Sequence, residues 1–148
     1  MPHSEIAEGV WTIPASRYKT GNEVVLPLSK AAQSVLAEVP MLGPFVFSSN
    51  GHNPIGGLGE RKAKLDKLSG VTGWRIHDLR RTARSLMSRA GVDPDVAERC
   101  LGHVIGGVRG VYDRHSFFDE KRHAFDKLAA QIEAIVNPQE NVVPMTKR

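Results

Sequence analysis

The chain has one cysteine, Cys100, in 148 residues. No internal disulfide can form, which suits a reducing compartment. No apolar stretch approaches the roughly 18 residues that mark a transmembrane helix, so no membrane contact is expected. The N-terminus, Met1-Pro2-His3-Ser4-Glu5, lacks a basic region followed by an apolar run, so no signal peptide is read. The expected location is the cytoplasm. Several catalytic signatures are also missing. Without HExxH or CxxC there is no strong zinc signal. Without GxxxxGK[ST] there is no P-loop, and without GxSxG there is no nucleophile elbow. No metal and no cofactor are expected.

What is present suits one domain with one ordinary core, since 41% of the residues are hydrophobic. The net charge is +4 and unevenly spread. Arg75, Arg80, Arg81, Arg84 and Arg89 face only Asp78 in their stretch. Arg61, Lys62, Lys64 and Lys67 face only Asp66. The segment from Asp119 to Glu140 is net acidic. A basic stripe confined to part of a domain is the footprint of a phosphate backbone, although it also describes an ordinary solvated helix face. Arg61, Lys62, Lys64, Arg75, Arg81 and Arg84 are the candidate DNA contacts.

The patterning predicts a mixed fold, mainly α, with a small antiparallel β-hairpin. Val10–Ile13 and Glu23–Leu26 read as its strands, separated by a polar stretch with Gly21-Asn22. Ser29 is the expected N-cap of a helix carrying Ala32, Val35, Leu36 and Val39, which Pro40 stops. Phe45-Val46-Phe47 reads as a short buried strand. A basic helix is expected over Leu58–Leu68. Another is expected over His77–Ala90, with Leu79, Ala83, Leu86, Met87 and Ala90 on its apolar face and Gly91 as its stop. Asp93-Pro94 restarts a short helix that Gly102 ends. Asp119 opens a long helix through Phe125, Leu128, Ala129, Ile132, Ile135 and Val136. The last ten residues read as a disordered tail.

The chemistry-bearing residues fall in a definite order. His77-Asp78-Leu79-Arg80 comes first, then Leu101-Gly102-His103, then Tyr112. Arginine offers a planar fork of donors that matches a phosphate. Histidine moves protons near neutral pH. Tyrosine supplies an oxygen nucleophile for a covalent intermediate. His77 and Arg80 stand three residues apart in a first helical turn, where free backbone N–H groups also favour anions. Taken singly, each has an ordinary structural reading: a lone HxxR is common, His103 could cap a helix, and Tyr112 could be a half-buried aromatic. Glycines 106, 107 and 110 lead up to Tyr112. Each lowers helix stability by roughly 1 kcal/mol relative to alanine, as suits a segment that must move or turn tightly.

From about Trp11 to Ile135 this order and spacing resemble the tyrosine recombinase, or phage integrase, family. The wording His77-Asp78-Leu79-Arg80-Arg81-Thr82 and Gly106-Gly107-Val108-Arg109-Gly110-Val111-Tyr112 is most similar to integrases of satellite phages and genomic islands. The resemblance implies that one DNA strand is cut by Tyr112 to leave a 3′-phosphotyrosine and a free 5′-hydroxyl. Another strand's 5′-hydroxyl then reverses the step, and neither ATP nor metal is needed. It further implies that Arg80 stabilises the phosphate charge and that His77 takes the tyrosine proton. His103 would bond the phosphate, and Lys19, in the hairpin, would protonate the leaving oxygen. Arg17 lies close enough to Lys19 in sequence to be confused with it. The implied partners are double-stranded DNA and, for the full-length form, further copies in a tetramer on DNA.

The chain departs from the family pattern at one point. The family's first arginine lies on a helix just upstream of the hairpin, and Met1 to Gly9 contains no arginine. Residues 1–137 are therefore expected to be the C-terminal portion of the catalytic domain, lacking the separate DNA-clamping domain, with 138–148 as the tail. Met1 would be a fragment boundary or the start of a shortened reading frame. Three alternatives stay open: a non-catalytic helix-turn-helix-like DNA-binding module around Gly91, a type IB topoisomerase relative, and an inactive relic.

Overall fold

The structure, a computed structural model, describes residues 1–103 and 116–138. The expectations placed on Tyr112, on the glycines before it and on the tail from residue 139 lie outside these residues.

A short 3-10 turn at His3–Glu5 leads into strand β1 (Ile6–Ala7). Strand β2 (Val10–Ile13) and strand β3 (Val24–Pro27) follow, and the sheet is antiparallel in the order β1-β2-β3. β2 lies where the sequence predicts it, and β3 begins one residue later. β1 is an addition. It pairs Ile6 with Trp11 and Ala7 with Val10 through a two-residue turn. Glu8 and Gly9 both have positive φ, at 49° and 73°, the geometry that matches the twist of a tight hairpin. Lys19 thus lies in the second hairpin loop, between β2 and β3. A tight i→i+3 turn there carries the bond from Gly21 N to Tyr18 O, 2.9 Å.

The Phe45–Phe47 strand is not formed. Phe45 makes a single bridge to Pro2, flanked by bonds from His3 N to Pro44 O and from Val46 N to Met1 O. Proline has no N–H to continue a ladder, and the Phe47 carbonyl is taken by Ile55 N. Val46 is nonetheless buried.

Five α-helices are present among the described residues. Ser29 caps α1 (Lys30–Ala37) by accepting from Ala32 N at 3.3 Å. Helix α2 (Leu58–Ser69) runs between Gly57 and Gly70 and buries no residue. Helix α3 (Ile76–Arg89) is closed at its start by Asp78, whose carboxylate accepts from Arg75 N at 2.8 Å. Asp93 caps α4 (Pro94–Cys100), with proline in its first turn. Helix α5 (Phe118–Val136) starts one residue before Asp119. Phe117 adopts φ 52° at its N-cap, with its ring under the Arg99 guanidinium at 3.8 Å.

The core lies where α3, α4 and α5 meet: Met87, Val92, Val96, Ala97, Cys100 and Ala124, with Phe117, Phe125 and Leu128 packed against it. Leu79, expected on the apolar face of α3, is 60% exposed. It sits in the first turn, away from the α4 contact that buries Met87 two turns later. Burial pushes the Cys100 thiol up to about 11, so it is an inert core group. Helix α5 also ties the helices to the sheet. Its Lys121 is buried and donates to the Val25 carbonyl at 2.6 Å. Removal from water pushes the Lys121 ammonium below its ordinary value.

Candidate active site

The start of α3 and the end of α4 converge on one cup. Helix α3 presents His77 and Arg80 from its first turns. Helix α4 ends in a Schellman motif: Gly102 N bonds to Arg99 O at 3.0 Å and His103 N to Glu98 O at 3.0 Å. That closure requires the left-handed φ of +71° at Gly102, and it folds His103 back over Glu98.

Arg80 Nη2 lies 2.9 Å from His103 Nε2 and also donates to the Leu101 carbonyl. The other ring nitrogen, His103 Nδ1, meets the Glu98 carboxylate. Glu98 is held from its other oxygen by Arg84 Nε at 2.7 Å, and Arg84 donates in turn to Ser88 Oγ. The Arg84 bond, and after it the His103 bond, keep the Glu98 carboxyl below the usual carboxylate range. A guanidinium has no acceptor, so Arg80 must donate to an unprotonated Nε2. The tautomer compatible with both contacts carries its proton on Nδ1, directed at Glu98.

The cup has a volume of about 340 Å³ and is walled by His77, Arg80, Arg81, Arg84 and His103, with Glu98 as its acidic member. Three guanidiniums against one carboxylate leave it cationic. Its donors suit the nonbridging oxygens of a phosphodiester.

The hairpin loop reaches the same place. Tyr18 Oη donates to Gly102 O at 3.1 Å, so the neighbour of Lys19 is bonded to the neighbour of His103. Lys19 itself is exposed and has no partner among the described residues. Arg17 is committed elsewhere. Its guanidinium grips Glu5 through Nε at 2.8 Å and Nη2 at 2.9 Å, and Trp11 Nε1 donates to the same carboxylate at 3.0 Å. The two neighbouring cations are thereby sorted: Arg17 braces the sheet, and Lys19 is available.

The six candidate DNA contacts divide similarly. Arg75 and Lys64 are exposed, Arg81 is exposed beside Asp78 at 3.2 Å, and Arg61 bonds Gly56 O at 3.0 Å while facing solvent. Lys62 instead pairs with Asp66 at 2.5 Å and lies 4.5 Å over the Trp74 ring. Arg84 is held inside the cup by Glu98. Glu98 and the bracing role of Arg84 were not singled out for this site from the sequence. A glycine just past a helix end was the available signal for Glu98, because a Schellman closure brings the residue after the glycine over the one five positions earlier.

Gly102 offers a direct test of this convergence. An added Cβ would sit 2.0 Å from Tyr18 Oη. Gly102→Ala must therefore strain a left-handed backbone, at about 1–2 kcal/mol, and also expel Tyr18. Tyr18→Phe loses only one hydrogen bond, about 0.5–1.5 kcal/mol. Urea denaturation should rank Gly102→Ala as the less stable, with the two changes non-additive in the double variant. Simple additivity would break the link between loop and turn.

The cup is cationic and lined by arginine and histidine. The family follows from comparison with known protein families: residues 1–117 match the phage integrase family, and the chain belongs to it. No curated protein and no solved structure matches the chain significantly. Family membership supports site-specific recombination, with DNA as substrate, at the level of the family. Among the described residues, no helix is long and apolar enough to cross a membrane, and no cluster of His, Cys, Asp and Glu is suited to a metal.

Proposed function

We propose that this chain carries the strand-cleaving site of a tyrosine recombinase, acting on duplex DNA as part of a tetramer. The observation that carries the reading is the Arg80–His103 pair, 2.9 Å apart in an open cationic cup beside the Lys19 loop. Tyr112 Oη attacks the phosphorus, and the bond from phosphorus to O5′ breaks. His77 accepts the tyrosine proton and Lys19 supplies one to O5′. Arg80 and His103 hold the nonbridging oxygens as charge builds on them. The phosphotyrosyl bond conserves the bond energy, so rejoining needs no ATP.

A nicked duplex that loses its 5′-hydroxyl fragment after cleavage tests the chemistry. A protease-sensitive protein–DNA adduct should accumulate, survive EDTA and vanish in Tyr112→Phe. An adduct that persists in Tyr112→Phe but disappears in Tyr18→Phe would transfer the nucleophile to Tyr18. Binding should weaken linearly in log salt as counterions are released. Arg81→Ala and Lys64→Ala should each reduce that slope by about one. Salt-independent binding would remove the cationic face from the DNA interface.

A further inference from the structure

We infer that Glu98, braced by Arg84, is a positioning residue that fixes the tautomer of His103 and so aims Nε2 into the anion cup. The inference rests on the reading of that cup as a phosphodiester site.

Five side chains form one continuous relay, from Ser88 through Arg84, Glu98 and His103 to Arg80. Each link leaves its neighbour one choice. Arg84 occupies Glu98 Oε1, which leaves Oε2 for the imidazole. The carboxylate accepts and cannot donate, so it takes the Nδ1 proton. Nε2 is then the acceptor, and it faces Arg80. Four of the five members sit on α3 and α4, and His103 is pinned by the Schellman turn, so the relay rests on rigid elements.

This arrangement describes a resting state and an engaged one. At rest, Arg80 is parked on two acceptors, His103 Nε2 and the Leu101 carbonyl. A phosphodiester offers better acceptors and draws the guanidinium to itself. Nε2 is then released from Arg80 and can take a proton and donate to a phosphate oxygen. The Glu98 carboxylate balances the resulting imidazolium. Without Glu98, the proton could occupy either nitrogen, and an Nε2–H ring would point a donor at a guanidinium. The same carboxylate therefore both stabilises the resting latch and prepares the ring for the phosphate.

The test is the imidazole nitrogen spectrum of His103 in the full 148-residue chain at neutral pH, with inorganic phosphate as the anion probe. Wild type should carry the His103 proton on Nδ1, and added phosphate should shift the Nε2 resonance. Glu98→Met keeps side-chain length but has no carboxylate. It should let the Nε2-protonated ring appear beside the Nδ1-protonated one and weaken that response, whereas Glu98→Asp should preserve both. Arg84→Met should move the population the same way by a smaller amount. A wild-type ring protonated on Nε2 would overturn the inference even if every variant failed to fold. So would a Glu98→Met ring that kept its proton on Nδ1. Loss of adduct formation with an intact tautomer pattern would instead count against the recombinase reading alone.

Discussion

Arg80→Ala is expected to lower the rate of covalent adduct formation by about 100- to 1000-fold, the usual loss when a preorganised donor to a developing oxyanion is removed. Duplex binding should change far less, because exposed cations such as Arg81 and Lys64 carry the long-range attraction. Arg80→Lys should not restore the rate. Arg80 reaches the Leu101 carbonyl and His103 Nε2 at once with a planar fork, and an ammonium is a point charge on a flexible stem. The comparison needs a stability control, since Arg80 also joins α3 to the α4 turn. Thermal melts of both variants should stay well above the assay temperature. A stable Arg80→Ala chain that forms adduct at the wild-type rate would place the phosphate elsewhere.

Local signals in the sequence account for much of the fold. Ser29, Asp93 and Gly102 each act at the helix end where residue chemistry places them. The fold class, mainly α with a small antiparallel sheet, follows from apolar spacing interrupted by glycine and proline. β1 was not legible because two residues, Ile6 and Ala7, have no periodicity to read, and its turn uses Glu8-Gly9 in place of an Asn-Gly pair. Phe45–Phe47 is apolar enough for a strand, but its bridge partner is Pro2, which has no N–H, and the Phe47 carbonyl is taken by Ile55. Sequence spacing does bring Arg80, His77 and His103 to one cup. It could not show that Arg84, one of five similar arginines, is already held by a carboxylate 14 residues away. Nor could it show that Tyr18 bonds a residue 84 positions distant. Those partners are chosen by how α4 packs on α3 and by where the hairpin loop lands, and neither leaves a periodic trace.

The placement of that loop gives the last prediction its structural footing. Tyr18 anchors the β2–β3 loop to Gly102, next to His103, and Lys19 follows it with no partner among the described residues. If Lys19 is the general acid, it protonates a 5′-oxygen that would otherwise depart as an unstable alkoxide. Such assistance typically contributes about 100- to 10,000-fold, so Lys19→Ala should lose cleavage of normal DNA on that scale. A thiol has a pKa of about 8.5 and leaves as a thiolate without help. With sulfur at the 5′-bridging position, Lys19→Ala should recover much of its rate. His77→Ala should not, because the proton proposed for it is on the attacking side. Arg17 supplies the internal control: it is locked to Glu5, so Arg17→Ala should weaken the sheet without showing selective rescue by sulfur. Rescue of Arg17→Ala and not Lys19→Ala would exchange their roles. No rescue of either would leave the loop with phosphate binding and no part in proton transfer.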